Sequence, residues 1–255
     1  MKHTPMLVLF TDFGTADPYV GQIHGVLASA APGVPIIDLT HQAPDYDVRS
    51  SAYLLAALAP QFPPGAVFMA VVDPGVGSDR APIMIDADGR WYVGPDNGLF
   101  ELVLRRANRS ATFRIGWQPD HLSPSFHGRD LFAPVAAMLA CGRRPEHTPF
   151  EPGRRTDWPD DLARVIYIDH FGNAMTGIRG ATVGKERILA AAGRSLEHRK
   201  VFSAAEPNTP FWYVNSSDLV ELAVAGGSVA RLLQLHIGDK VELRSGIAAS
   251  PGQRR

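Results

Sequence analysis

The sequence predicts an α/β protein in two parts: a Rossmann-like three-layer α/β domain over residues 1–150, then a smaller β-barrel-like domain over 160–250. Three observations carry this reading. Continuous apolar runs alternate with helix-spaced segments through the first part, as parallel strands covered on both faces require. The stretch 143–160, RRPEHTPFEPGRRTDWPD, holds four prolines, many charges and no apolar period, the composition of a linker. Beyond it the apolar runs are short, β-rich and separated by turn residues.

Taken in order, MLVLF is a buried strand broken by TDFGTADP. A helix starts near Pro18, with Tyr19, Ile23, Val26 and Leu27 at helical spacing, and ends at Pro32-Gly33 before the strand VPIIDL. DVRSSAYLLAALAPQFP reads as a second helix and GAVFMAVV as a third buried strand. PIMIDADGRWYVG reads as a hairpin, GLFELVLRR as a helix, and residues 130–141 as the last helix of the domain. In the second part, ARVIYID, VFSA, PFWYVN and DKVELRSG are expected as β-structure, with SPGQRR as a loose tail.

A chain of 255 residues with 45% hydrophobic content can bury a substantial core. Lys plus Arg number 25 against 26 for Asp plus Glu, so no net field draws in nucleic acid or an anionic membrane. A small, roughly neutral partner is expected. The single cysteine, Cys141, excludes an internal disulfide and sits in the apolar run AAMLACG, where burial is expected. The apolar stretch at the start is too short for a secretory signal, and no segment approaches membrane-spanning length, so a cytoplasmic location is the default.

Ligands of open α/β sheets bind beyond the carboxyl ends of the strands, and four such ends are polar here: Thr11-Asp12, Thr40-His41, Asp73-Pro74-Gly75 and Asp96-Asn97-Gly98. Asp96-Asn97 precedes a helix and is expected to cap it. Asp12 lies farther from its helix, and Gly14 permits close backbone approach, which suits a ribose diol. In VVDPGVGSDR, Pro74-Gly75 turns the chain and Gly77 lets Arg80 return toward Asp73. That pair either staples the loop or keeps a carboxylate ionised and aimed at a water. His127, in SFHGRD before the last helix, gains a catalytic reading only beside that loop. Asp169, His170, Phe171 and Asn173 in YIDHFGNAMTG offer acceptor, aromatic face and amide for a nucleobase or an amino-acid zwitterion; a plain turn competes. Asn215, Ser216 and Ser217 in YVNSSD read equally as a turn.

Together LFTDFGTADPYVG, DLTHQAPDYDV, PPGAVFMAVVDPGVGSDR, GPDNGL, SFHGRD, IDHFGNAMTG and NSSD, in this order over nearly the whole chain, resemble the S-adenosylmethionine hydroxide adenosyltransferase family, related to fluorinase and chlorinase. The resemblance implies cleavage of S-adenosylmethionine by water to adenosine and methionine, with no further cofactor and no metal. It implies Asp73, Arg80 and His127 as the catalytic trio and Asp12 on the ribose, with Asp17 and Tyr46 nearby. Asp169 and Asn173 are then expected at the methionine end, and Phe202, Asn215 and Ser216 around the adenine. It further implies a homotrimer whose sites lie between the first domain of one subunit and the second domain of its neighbour. The short stretch between Arg80 and WYVGP, with Asp73 and His127-Gly128 in place, points to water rather than halide as nucleophile.

Three other functions fit parts of this pattern. A halogenase would share the substrate. A metal-dependent hydrolase would use Asp12, Asp73, His127 and Asp130 as ligands, although no tight motif such as HExxH is present. A nucleoside-binding protein would keep the pocket without turnover. A dinucleotide-dependent dehydrogenase is discarded, because TDFGTADP lacks the GxGxxG spacing.

Overall fold

The computed structural model describes residues 5–245 and is of mixed α/β class, with two seven-stranded sheets. It divides into two compact units between Trp158 and Pro159. No helix among the described residues is long and apolar enough to cross a membrane.

The first unit contains β1 (Met6–Thr11), α1 (Tyr19–Ala30), β2 (Ile36–Thr40), α2 (Val48–Leu58), β3 (Ala66–Val71), β4 (Pro82–Ala87), β5 (Arg90–Pro95), α3 (Glu101–Arg106), β6 (Ser110–Ile115), α4 (Ala133–Ala140) and β7 (His147–Pro149). The sheet runs β2-β1-β3-β5-β4-β6-β7; the first four strands are parallel, and β4, β6 and β7 join antiparallel. The parallel strands read as unbroken apolar runs because both faces are covered: Leu7 to Phe10 and Ala66 to Val71 are all buried. Leu7, Leu9, Val67 and Met69 meet Ile23 and Leu27 of α1 and Ala133 and Val135 to Ala137 of α4 in one core. Their neighbours in register point the other way, so Phe68 stacks on Tyr92 (4.9 Å between ring centroids) with Phe62 and Phe100 edge-on. Asp88 and Gly89, both at positive φ, form the two-residue turn of the β4–β5 hairpin.

Several local expectations are corrected. Asp96-Asn97 does not cap α3: Phe100 holds the cap position without a side-chain hydrogen bond, and Asn97 instead forms a turn in which its Oδ1 accepts from Leu99 N (3.1 Å). The segment before α4 begins one turn early, as a π-helical turn over Gly128–Phe132. Cys141 is exposed, since α4 ends at Ala140 and the cysteine falls at its C-cap. Within 143–158, β7 pairs with β6, while Arg154 and the Arg155 N–H bind the buried carboxylate of Glu101 on α3.

The second unit contains β8 (Leu162–Ile168), β9 (Ala174–Arg179), β10 (Ile188–Ala191), β11 (Arg194–His198), β12 (Pro210–Val214), β13 (Leu219–Val224), α5 (Val229–Leu233) and β14 (Val241–Arg244). Its sheet runs β14-β10-β11-β12-β13-β9-β8, and a bridge from Arg164 to Lys240 brings the two edge strands together, so the sheet nearly closes into a barrel. Trp212, Val220, Leu222, Leu189 and Leu196 fill it. VFSA, expected as a strand, is a 3₁₀ turn over Phe202–Ala204. The SPGQRR tail lies outside the described residues.

Candidate active site

Parallel pairing of β2, β1 and β3 sends their carboxyl ends out of the sheet side by side, so Asp12, the His41–Tyr46 loop and Asp73 emerge together. The loops are tied backbone to backbone: Gly14 N donates to His41 O (2.7 Å) and Ala43 N to Thr11 O (3.0 Å). Tyr46 N donates to Asp12 Oδ2 (3.1 Å), with Tyr46 itself in the left-handed region at φ 57° and its side chain exposed. Burial, with repulsion from Asp45 and Asp73, raises the Asp12 carboxyl above its ordinary value despite the bond from Tyr46. A hydroxyl-bearing or cationic ligand would relieve that cost.

Asp73 lies two residues beyond the end of β3. Asn97 Nδ2 donates to the carbonyl of Val72 (2.8 Å) and so fixes the chain just before the carboxylate, a role that the GPDNGL motif hides behind its resemblance to a cap. Arg80 returns as the sequence suggests: its Nε donates to Asp73 Oδ2 (2.7 Å), and Nη2 reaches the same oxygen (2.5 Å). Both side chains are buried. The loop between them is pinned at Gly77, whose φ of 84° is left-handed and where a Cβ would stand 2.7 Å from the carbonyl oxygen of Pro124.

Arg80 also defines His127. Nη2 lies 3.0 Å from His127 Nδ1, and because a guanidinium only donates, Nδ1 must accept and the ring proton must sit on Nε2. Burial first, then the charge of Arg80, holds the His127 pKa below its ordinary value, favouring this neutral tautomer. The face of the Phe132 ring backs the guanidinium at 5.4 Å. With Oδ2 committed to Arg80, Asp73 Oδ1 is buried and has no hydrogen-bond partner among the described residues. A buried carboxylate oxygen left in that state is an acceptor awaiting a donor.

Asp12, Asp17, Tyr46, Asp73 and His127 border one cavity of about 390 Å³ in this unit, and Arg80 stands behind them. Phe13, Tyr19 and Phe126 pack edge-to-face beside it with centroids 5.5–6.4 Å apart, and they form an apolar wall that sequence reasoning missed. For Phe13 and Phe126 the sequence signal is the aromatic next to a polar loop residue in TDFG and SFHG.

The second unit has its own cavity of about 890 Å³, bordered by Asp169, Phe171, Asn173, Phe202, Tyr213 and Arg231. Both oxygens of Asp169 are engaged in a turn, Oδ1 accepting from Asn173 N (2.8 Å) and Oδ2 from Asn173 Nδ2 (3.0 Å). Gly172 is required there, at φ 83° and with a Cβ position overlapping Ser228. Asn215 and Ser216 fall outside this lining. The Asn215 Oδ1 accepts from Ser217 N and Leu219 N, and Nδ2 donates to Glu221 Oε2 (2.6 Å). Glu221 also accepts from the hydroxyl of Tyr213 (2.5 Å), its opposite partner across the β12–β13 hairpin. Burial raises the pKa of both; the Glu221 carboxylate pushes the Tyr213 hydroxyl further up, whereas the hydrogen bonds from Tyr213 and Asn215 work against the rise at Glu221. Tyr213 and Arg231 were not singled out in the sequence; a two-residue alternation in PFWYV places Tyr213 with Phe211 on one face.

Residues 7–149 match the family model described as SAM hydroxide adenosyltransferase N-terminal domain, and residues 163–242 match the one described as SAM hydroxide adenosyltransferase C-terminal domain. The chain belongs to this family. Among curated relatives, a protein of Thermus thermophilus named (R)-S-adenosyl-L-methionine hydrolase is 41% identical over 255 residues, covering 91% of this chain and 97% of the relative. One of Salinispora arenicola with the same name is 39% identical, covering 96% and 100%. A crystal structure of an uncharacterized conserved protein from Thermotoga maritima superposes with a TM-score of 0.84 at 27% identity, covering 94% of this chain and all of the other. The adenosyltransferase family models thus span both units, and the cavity residues of each unit lie inside the matched ranges.

Proposed function

We propose that this chain is an enzyme hydrolysing S-adenosyl-L-methionine to adenosine and L-methionine, with the (R) sulfonium epimer as substrate. The names of its relatives support the reaction and the epimer. The observation that carries the chemistry is the buried, unpartnered Oδ1 of Asp73, held in place by Arg80.

In this reading a water donates one hydrogen to Asp73 Oδ1 and accepts one from His127 Nε2, leaving an oxygen lone pair for C5′ of the adenosyl group. The new C5′–O bond forms as the C5′–S bond breaks, its electron pair passing to sulfur to give the neutral thioether of methionine. The water proton passes to Asp73 and on to solvent. No acid is needed for the leaving group, since the sulfonium is already positively charged. General-base help of this kind supplies about 10² to 10⁴ in rate, and fixing the water in line supplies more. Asp12 would take the ribose hydroxyls, with Asp17 and Tyr46 beside it. Asp169 and Asn173 would hold the methionine end and Phe202 the adenine, while Asn215 and Ser216 contribute through the turn they shape.

The metal-dependent alternative is less favoured because arginines already occupy several of its donor atoms. Arg80 takes Asp73 Oδ2 and His127 Nδ1, and Arg129 takes both oxygens of Asp130. A homotrimer in the cytoplasm with shared sites completes the proposal, on the family resemblance. The direct test is chromatography of products from the two sulfonium epimers, with and without chelator and chloride. Adenosine and methionine from the (R) epimer in every condition are expected. A 5′-halogenated nucleoside, loss of turnover in chelator, or bound substrate without turnover would each overturn the reading in favour of a named alternative.

A further inference from the structure

Behind the Asp12 loop a second polar cluster takes no part in this chemistry. His24 on α1, Asp38 in β2 and His41 just after β2 converge so that one donor atom from each lies within 4.8 Å of the others. His24 Nε2 and His41 Nε2 approach the same oxygen, Asp38 Oδ1, at 2.7 and 3.0 Å. Each residue sits on or beside a regular element, and His41 is buried, so its ring is fixed in direction.

We propose that His24, Asp38 and His41 form a binding site for a divalent transition metal of the zinc class. Two imidazole nitrogens and one carboxylate oxygen are the donors such ions take, and metal–ligand bonds of about 2.0–2.1 Å in a tetrahedral arrangement separate donors by roughly 3.4 Å. On that scale the His24–Asp38 and His41–Asp38 separations need to open by about 0.7 and about 0.4 Å, and the side chains of His24 and Asp38 are partly exposed, which leaves them room to move. The fourth position faces solvent and takes water.

The surroundings of His41 suit a ligand. Its Nδ1 is 2.8 Å from Thr11 Oγ1. In the metal-free state Nε2–H donates to Asp38 and the threonine hydroxyl donates to Nδ1. When Nε2 binds metal, the ring proton moves to Nδ1 and donates to Thr11 Oγ1, an outer-shell bond of the kind that orients ligating histidines. The ion would clamp β2 to α1 and brace the loop whose backbone ties to Thr11 and Gly14, one and two residues from Asp12. Its role is structural, so turnover persists when the metal is removed.

Tag-free, chelator-treated protein titrated with Co²⁺ tests this without substrate. The expected result is one equivalent bound with tetrahedral visible absorption, displaced by Zn²⁺, and a higher melting temperature with metal. His24→Gln and Asp38→Asn, at partly exposed positions that folding tolerates, should each weaken binding about 100-fold or more, whereas His236→Gln, at an exposed histidine elsewhere, should not. Cobalt binding unchanged by His24→Gln, or no bound equivalent in wild-type protein, would overturn the site. Either result leaves the hydrolysis reading untouched, since no step of it uses the ion.

Discussion

At the scale of single residues, the proposed chemistry turns on Arg80. One guanidinium holds Asp73 Oδ2 and, through Nη2, fixes His127 as the Nε2–H tautomer. Asp73→Asn keeps the shape but removes the proposed base and should lower kcat by about 10² to 10⁴ while leaving KM within a few-fold, as steady-state adenosine release will measure. Arg80→Lys retains the charge and loses the fork; a point-like ammonium cannot reach both partners, so kcat should fall more than binding. His127 has its pKa lowered by burial and by Arg80 below the ordinary 6.5. The folded state thus prefers the neutral ring, and the unfolded chain binds more protons as the medium acidifies. The stabilising contribution is present above pH 6.5 and is lost as pH falls through the lower folded value. The acid limb of the kcat profile should accordingly lie below pH 6.5, and His127→Gln, which retains an acceptor for Arg80, should flatten it.

At the scale of elements, the loop of residues 73–80 is only as good as its anchor at Gly77. Gly77→Ala forces a methyl against the Pro124 carbonyl at a left-handed φ and should cost about 1–3 kcal/mol in denaturant titrations, with a matching loss of kcat as Arg80 drifts. Much of this level was legible in the sequence. Apolar runs marked β1 and β3 because both faces are buried, and Asp-Gly marked the hairpin turn because two positive φ angles are needed. Less legible were features set by tertiary partners. Asn97 looks like a helix cap in sequence, yet its amide serves the carbonyl of Val72, twenty-five residues away. The run around Cys141 promised burial, but the helix stops one residue short of it. VFSA has strand propensity and became a 3₁₀ turn.

At the scale of the whole molecule, the two families of loop residues border two cavities, one in each unit, and the sequence could name most of their polar residues together with Tyr46, Phe171 and Phe202, but not the aromatic wall of the first or Tyr213 of the second. Phe13, Tyr19 and Phe126 meet only after the β1–α1 connection and the segment before α4, more than a hundred residues apart, fold together, and Tyr213 pairs with Glu221 only through strand register. Asn215 shows the converse: a motif residue whose polar atoms are spent on its own turn and on Glu221. The exposed Tyr46, Phe171 and Phe202, each bordering a cavity, are the surfaces a neighbouring subunit would cover in the proposed trimer. Light scattering should give a mass of three chains, and an active monomer would contradict shared sites.

Incubation of S-adenosyl-L-methionine with the wild-type protein and Asp73→Asn in ¹⁸O-water most directly tests whether a water aimed by Asp73 attacks C5′. Wild-type protein should place one ¹⁸O in the 5′-hydroxyl of adenosine and none in methionine, with the variant forming labelled adenosine at least about a hundred times more slowly. Unlabelled adenosine, or equal rates in the two proteins, would contradict the account.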